Sequence, residues 1–143
     1  MSEAEPEARR LLQQVAAQFP NDPAVQDALG FVEQKQGNKA KARQMYNKAL
    51  SLEPDLVEAE TNLGVLDAQL GDLRYAVRLW QDAFQRAPGR SEVGLDLARA
   101  LCAEGQIYVA RDYTLRVLEF NPDFPPAKTL LRQLNSEHFH CSM

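Results

Sequence analysis

Apolar residues recur along the chain at helical spacing, in blocks separated by Gly or Pro. From Pro23 to Gln36, Val25, Ala28, Leu29 and Val32 form one stripe. Asn21 or Asp22 is placed to cap this helix, with Pro23 in its first turn. Gly37 ends it, because a residue without a Cβ takes the left-handed conformation cheaply. Asn38 starts a second helix, whose Ala42, Met45, Tyr46, Ala49 and Leu50 share a face, and Pro54 stops it. The same order runs from Asp55 to Pro88 around Gly71-Asp72, and from Gly89 to Pro122 around Gly105-Gln106.

These blocks are repeats with an offset of 34 residues. Leu29-Gly30 recurs as Leu63-Gly64 and Leu97-Ala98; Gly37 as Gly71 and Gly105; Ala42 as Ala76 and Ala110. Ala49 recurs as Ala83 and Val117, and Pro54 as Pro88 and Pro122. Small residues at Gly30 and Ala42 let paired helices approach closely, while Tyr46, Trp80 and Thr114 fill the matching bulky core position. The Leu-Gly, Gly-Asp/Asn, Ala, aromatic, Ala, Pro pattern resembles the tetratricopeptide repeat. That resemblance implies an all-α fold, a right-handed α-solenoid of antiparallel helix pairs. It implies one domain over residues 4–137, with an orphan helix at 5–19, repeats at 23–56, 57–90 and 91–124, and a cap helix at 124–136. Residues 138–143 read as a flexible tail.

The chain departs from the repeat pattern at two places. Gln26, Glu60 and Gly94 stand where an aromatic is common, and Glu33, Asp67 and Leu101 where Tyr is common. Gly94 inside a helix should cost about 1 kcal/mol relative to Ala, so the third repeat is expected to be the loosest.

By the same resemblance, first helices line a concave groove that binds an extended peptide or a partner helix. Its positions here are Asp27, Phe31, Gln34 and Lys35; Glu58, Thr61, Asn62, Val65 and Gln69; and Glu92, Leu95, Asp96, Arg99 and Cys102. Members that clamp a partner's terminal carboxylate use Lys, Arg and Asn, at positions held here by Asp27, Phe31, Asn62, Glu92 and Asp96. Only Asn62 matches, and the acids would repel a carboxylate.

Acids concentrate on the first helices and Lys and Arg on the second, predicting a negative concave side and a positive back. The expected partner is therefore a protein or peptide segment with cationic and apolar residues, anchored on Phe31, Val65 and Leu95. A net charge of −4 over 143 residues gives no reason to expect nucleic acid. An RNA-binding helical-repeat module is the alternative, reading bases along a basic groove. No apolar run is long enough to span a bilayer, so no membrane partner is expected.

No nucleophile–base set, carboxylate pair in a pocket or phosphate loop is present in the sequence, so neither catalysis nor a cofactor is expected. His138, His140 and Cys141 are metal-ligand types, but one short run cannot close a site, and no metal is expected. Two cysteines, Cys102 and Cys141, are too few for a disulfide framework and fit a reducing compartment. The N-terminal residues are not a signal peptide, which favours the cytoplasm. An orphan second helix exposes the face a missing first helix would cover, here some of Leu11, Leu12, Val15 and Phe19, so the segment is expected either to belong to a longer scaffold protein or to self-associate through that helix.

Overall fold

A computed structural model describes residues 4–141. Among these the secondary structure is entirely helical: α1 (Ala4–Gln18), α2 (Pro23–Lys35), α3 (Lys39–Leu52), α4 (Val57–Gln69), α5 (Leu73–Arg86), α6 (Ser91–Ala103), α7 (Ile107–Phe120) and α8 (Pro125–Leu134). They form two compact units, residues 1–70 and 71–143.

In the first unit, α1 to α4 pack in sequence. The Asp22 carboxylate caps α2 by accepting from the backbone N–H of Ala24 at 2.9 Å and Val25 at 3.3 Å. At the other end Gly37 has φ +84°, and the N–H groups of Asn38 and Gly37 close back on the carbonyls of Glu33 and Gln34. That pair of bonds satisfies carbonyls the helix would otherwise leave open, and it turns the chain into α3. Asn38 does not cap α3 through its side chain; its amide turns back to Glu33 instead. The core between α2 and α3 is the Tyr46 ring laid on Gly30. A Cβ at Gly30 would stand 2.7 Å from that ring, so Gly30 makes room for Tyr46 rather than for Ala42. First helices α2 and α4 also lie beside each other.

In the second unit, α5 to α8 pack in sequence around Trp80, Leu97, Leu101 and Val117. Thr114, at the aromatic position, is fully buried and satisfies its hydroxyl on the Ala110 carbonyl at 2.7 Å. The expectation of a loose third repeat is not met. Helix α6 buries Val93, Gly94, Leu95, Leu97, Ala98, Ala100, Leu101 and Cys102. A Cβ on Gly94 would collide with Val117 and Phe84, so the missing side chain is the space those two residues fill. Phe84 also meets Tyr113 edge-on, with centroids 6.0 Å apart. The helix-propensity penalty of glycine is outweighed by the close approach it permits.

Candidate ligand face

Four of the predicted groove residues of the first unit, Asp27, Gln34, Asn62 and Gln69, are joined by hydrogen bonds between α2 and α4. Asn62 on α4 donates its side-chain amide to the Asp27 carboxylate on α2 at 3.0 Å. Gln34 on α2 donates to Gln69 on α4 at 3.0 Å, and accepts the Tyr46 hydroxyl at 2.6 Å. These bonds tie the two first helices into one polar surface and fix its groups in place. Phe31 is 45% exposed on this surface, with the Lys35 ammonium 5.2 Å from its ring centroid. Glu58 and Gln69 are exposed, and Thr61, Asn62 and Val65 are half-buried.

Asp27 of this face is perturbed by its surroundings. Burial raises its pKa above the ordinary value; the Asn62 hydrogen bond opposes the rise, and the negative charge of Glu58 adds to it. The same Asp27 charge, after burial, pushes the Tyr46 phenol upward.

Several acids assigned to the concave side are not there. Glu33 is 1% exposed, held by Arg9 of α1 at 2.9 Å, Asn38 at 2.7 Å and Lys41 of α3 at 3.6 Å. Burial raises its pKa, but the Asn38 bond and the Arg9 and Lys41 charges together bring it below the ordinary value. Asp67 is likewise buried and bound by Arg43 of α3 at 2.5 Å. Glu60 and Gln26 are buried too, Gln26 donating to the Pro20 carbonyl at 3.1 Å. At two of the positions where the repeat pattern has an aromatic, Glu33 and Asp67 thus fasten neighbouring helices. The signal for Glu33 and Asp67 is the basic residue on the preceding helix: Arg43 lies 24 residues before Asp67, the same offset as Arg9 before Glu33.

In the second unit the predicted positions divide. Glu92 and Arg99 are exposed and Asp96 is half-buried, but Leu95 and Cys102 are buried, at 5% and 3% exposure. Leu95 therefore cannot anchor a ligand as expected; it is part of the core. Burial raises the pKa of Asp96, Arg99 opposes the rise and Glu92 adds to it. Cys102 is joined to Cys141 in a disulfide, with Cα atoms 5.4 Å apart. No group of three or more His, Cys, Asp or Glu side chains able to hold a metal exists among the described residues. Of the tail, residues 138–141 are described and residues 142 and 143 lie outside the described residues. No described helix is long and apolar enough to cross a membrane.

Profiles of the tetratricopeptide repeat match residues 23–56 and 67–134. The chain belongs to the tetratricopeptide repeat family. It is 32% identical over 130 residues to tetratricopeptide repeat protein 7A of Homo sapiens, covering 90% of this chain and 15% of that protein. It is 32% identical over 112 residues to the protein CTR9 homolog of Arabidopsis thaliana, covering 76% of this chain and 10% of that one. A probable biofilm formation methyltransferase, WspC, of Pseudomonas putida is 38% identical over 89 residues, 62% of this chain and 21% of the relative. The chain thus spans about a fifth or less of the length of these relatives. Among solved structures, MamA 41-end from Desulfovibrio magneticus RS-1 superposes with a TM-score of 0.81 at 20% identity, over 93% of this chain and 75% of that one. A crystal structure of MamA gives 0.78 at 18%, over 88% and 74%. At such identities the likeness is one of fold: an all-helical tetratricopeptide-type repeat. Repeats of this family serve as protein-interaction scaffolds, and that role is the one the chain's family membership carries.

Proposed function

We propose that this segment is a non-catalytic interaction module within a longer protein. Its α2–α4 face takes an extended segment or partner helix carrying cationic and apolar side chains. The observation that carries the reading is half-buried Asp27, hydrogen-bonded to Asn62 at 3.0 Å, with exposed Phe31 one helical turn further along α2 and the negative charge of Glu58 acting on the same carboxylate. A Lys or Arg entering there relieves a like-charge contact in a partly desolvated place, where Coulomb attraction exceeds its value in water. Phe31 and half-buried Val65 offer apolar surface beside it. Two of the buried carboxylates of this unit, Glu33 and Asp67, are paired with Arg9, Lys41 and Arg43, so those cations do not cancel the charge of the face. An acidic face repels phosphate, which disfavours RNA on the same surface.

Fluorescence anisotropy with two labelled peptides tests the proposal. One alternates Lys or Arg with Leu, and the other replaces the cations by Glu. At low ionic strength the cationic peptide is expected to bind at least about tenfold tighter, with the difference shrinking as salt screens the charges. Binding should also weaken as pH falls through the raised pKa of Asp27, where the carboxyl becomes neutral. Equal affinities, or a preference for the acidic peptide, would rule the reading out.

A further inference from the structure

After α8 the chain does not run away from the second unit. The Ser136 N–H bonds to the Gln133 carbonyl at 3.0 Å, and the Phe139 N–H to the Ser136 carbonyl at 3.4 Å. These two turns reverse the backbone. Phe139 and Cys141 become half-buried, and the tail forms one cleft of about 230 Å³ with Arg99 and Cys102 of α6 and Leu130 of α8. Cys102 is thirty-nine residues from Cys141 in sequence, yet their Cα atoms are 5.4 Å apart, inside the range a native disulfide requires. Both cysteines of the chain are used in this pair.

We propose that Cys102 and Cys141 form a reversible thiol–disulfide modification site, which fastens residues 138–141 over the Arg99–Cys102 end of α6 when oxidised and releases them when reduced. Cys141 is the more accessible sulfur, since Cys102 is 3% exposed. In the oxidising direction the Cys141 thiolate attacks a low-molecular-weight disulfide, RSSR. Its S–S bond breaks, one RS⁻ leaves and takes up a proton, and Cys141 holds a mixed disulfide. Cys102, deprotonated in turn, attacks the Cys141 sulfur and expels the second RS⁻, which is protonated to RSH. The two protein thiols lose two electrons and two protons, and RSSR becomes two RSH. Excess small thiol reverses both exchanges. The Arg99 side chain lines the same cleft. The arrangement relies on the proximity of the two cysteines. This assignment concerns the tail and α6 only, and does not depend on what the α2–α4 face binds.

The test equilibrates the 143-residue chain in mixtures of oxidised and reduced glutathione, quenches with an alkylating agent and maps the cysteines by mass spectrometry. Hydrogen exchange is followed on the same samples. With equal oxidised and reduced glutathione, the Cys102–Cys141 link is expected to exceed mixed disulfides by at least about tenfold, because the second thiol acts at a high effective concentration. Amides of residues 138–141 should exchange at least about tenfold more slowly in the oxidised chain than in the reduced chain or in Cys141→Ser. The Ser variant changes only the tail, whereas Cys102→Ser would place a hydroxyl in the buried side of α6. Predominant mixed disulfides or disulfide-linked dimers would overturn the proposal. So would a linked chain whose tail exchanges as fast as the reduced one.

Discussion

Two first helices of the same repeat pattern, α2 and α6, present different inner sides. Helix α2 keeps Asp27, Gln34 and Phe31 at its surface and shares hydrogen bonds with α4. Helix α6 has Leu95 in the core and Cys102 joined to the tail, leaving Glu92, half-buried Asp96 and Arg99 toward solvent. The backbone template is common to both, but the positions that depart from it are spent differently. At Glu33 and Asp67 the departure inserts a carboxylate that binds an Arg of the preceding second helix. At Gly94 it removes a side chain so that Phe84 and Val117 can close in. One unit is fastened at these positions by ion pairs and the other by close packing. That difference leaves an open polar face on the first and a tail-covered helix on the second.

The comparison breaks most sharply at Gly94. Gly94→Val puts a branched side chain into the space of Phe84 and Val117, and overpacking of this kind should cost about 2–3 kcal/mol. Chemical denaturation followed by Trp80 fluorescence measures it, since Trp80 is buried in the same unit. A midpoint unchanged from wild type would mean that the glycine is no packing requirement.

A smaller effect is expected at the ion-pair end of the comparison. Glu33→Gln leaves Arg9 and Lys41 without their shared carboxylate and should cost about 1–2 kcal/mol, reduced because both cations are partly exposed. The pH dependence has a definite sign. The folded pKa of Glu33 lies below its ordinary value of 4.5, so its stabilisation is complete above that value and is lost as pH falls through the folded pKa. Asp27 and Asp96, raised by burial, act oppositely: their penalty at neutral pH is relieved as pH falls through their folded values. Glu33→Gln should therefore flatten the acid-side loss of stability seen in wild type by urea denaturation between ~pH 7 and ~pH 3. An equally steep loss in the variant would remove Glu33 from the account of acid sensitivity.

The helices were legible in the sequence because the repeat signals are local. Gly37 and Gly105 need positive φ, Asp22 caps, and the apolar stripes carry the helical period; each appears where the spacing placed it. The ligand face was legible in part. Asp27, Phe31 and Asn62 sit on it, but Leu95 is core rather than anchor, because position within a repeat does not say how deeply a neighbour buries it. Glu33 and Asp67 looked like surface charge because their partners lie on another helix, 24 residues earlier in the chain. The disulfide was illegible for the same reason: Cys102 and Cys141 meet only because two turns after α8 reverse the tail.

Amide chemical-shift mapping with the cationic apolar peptide tests the functional account most directly. At low ionic strength the largest shifts are expected at Asp27, Phe31, Asn62 and Val65, with Asp27→Asn weakening the affinity about fivefold, close to 1 kcal/mol. Shifts concentrated on the outer side of α3, with Asp27→Asn leaving the affinity unchanged, would contradict it.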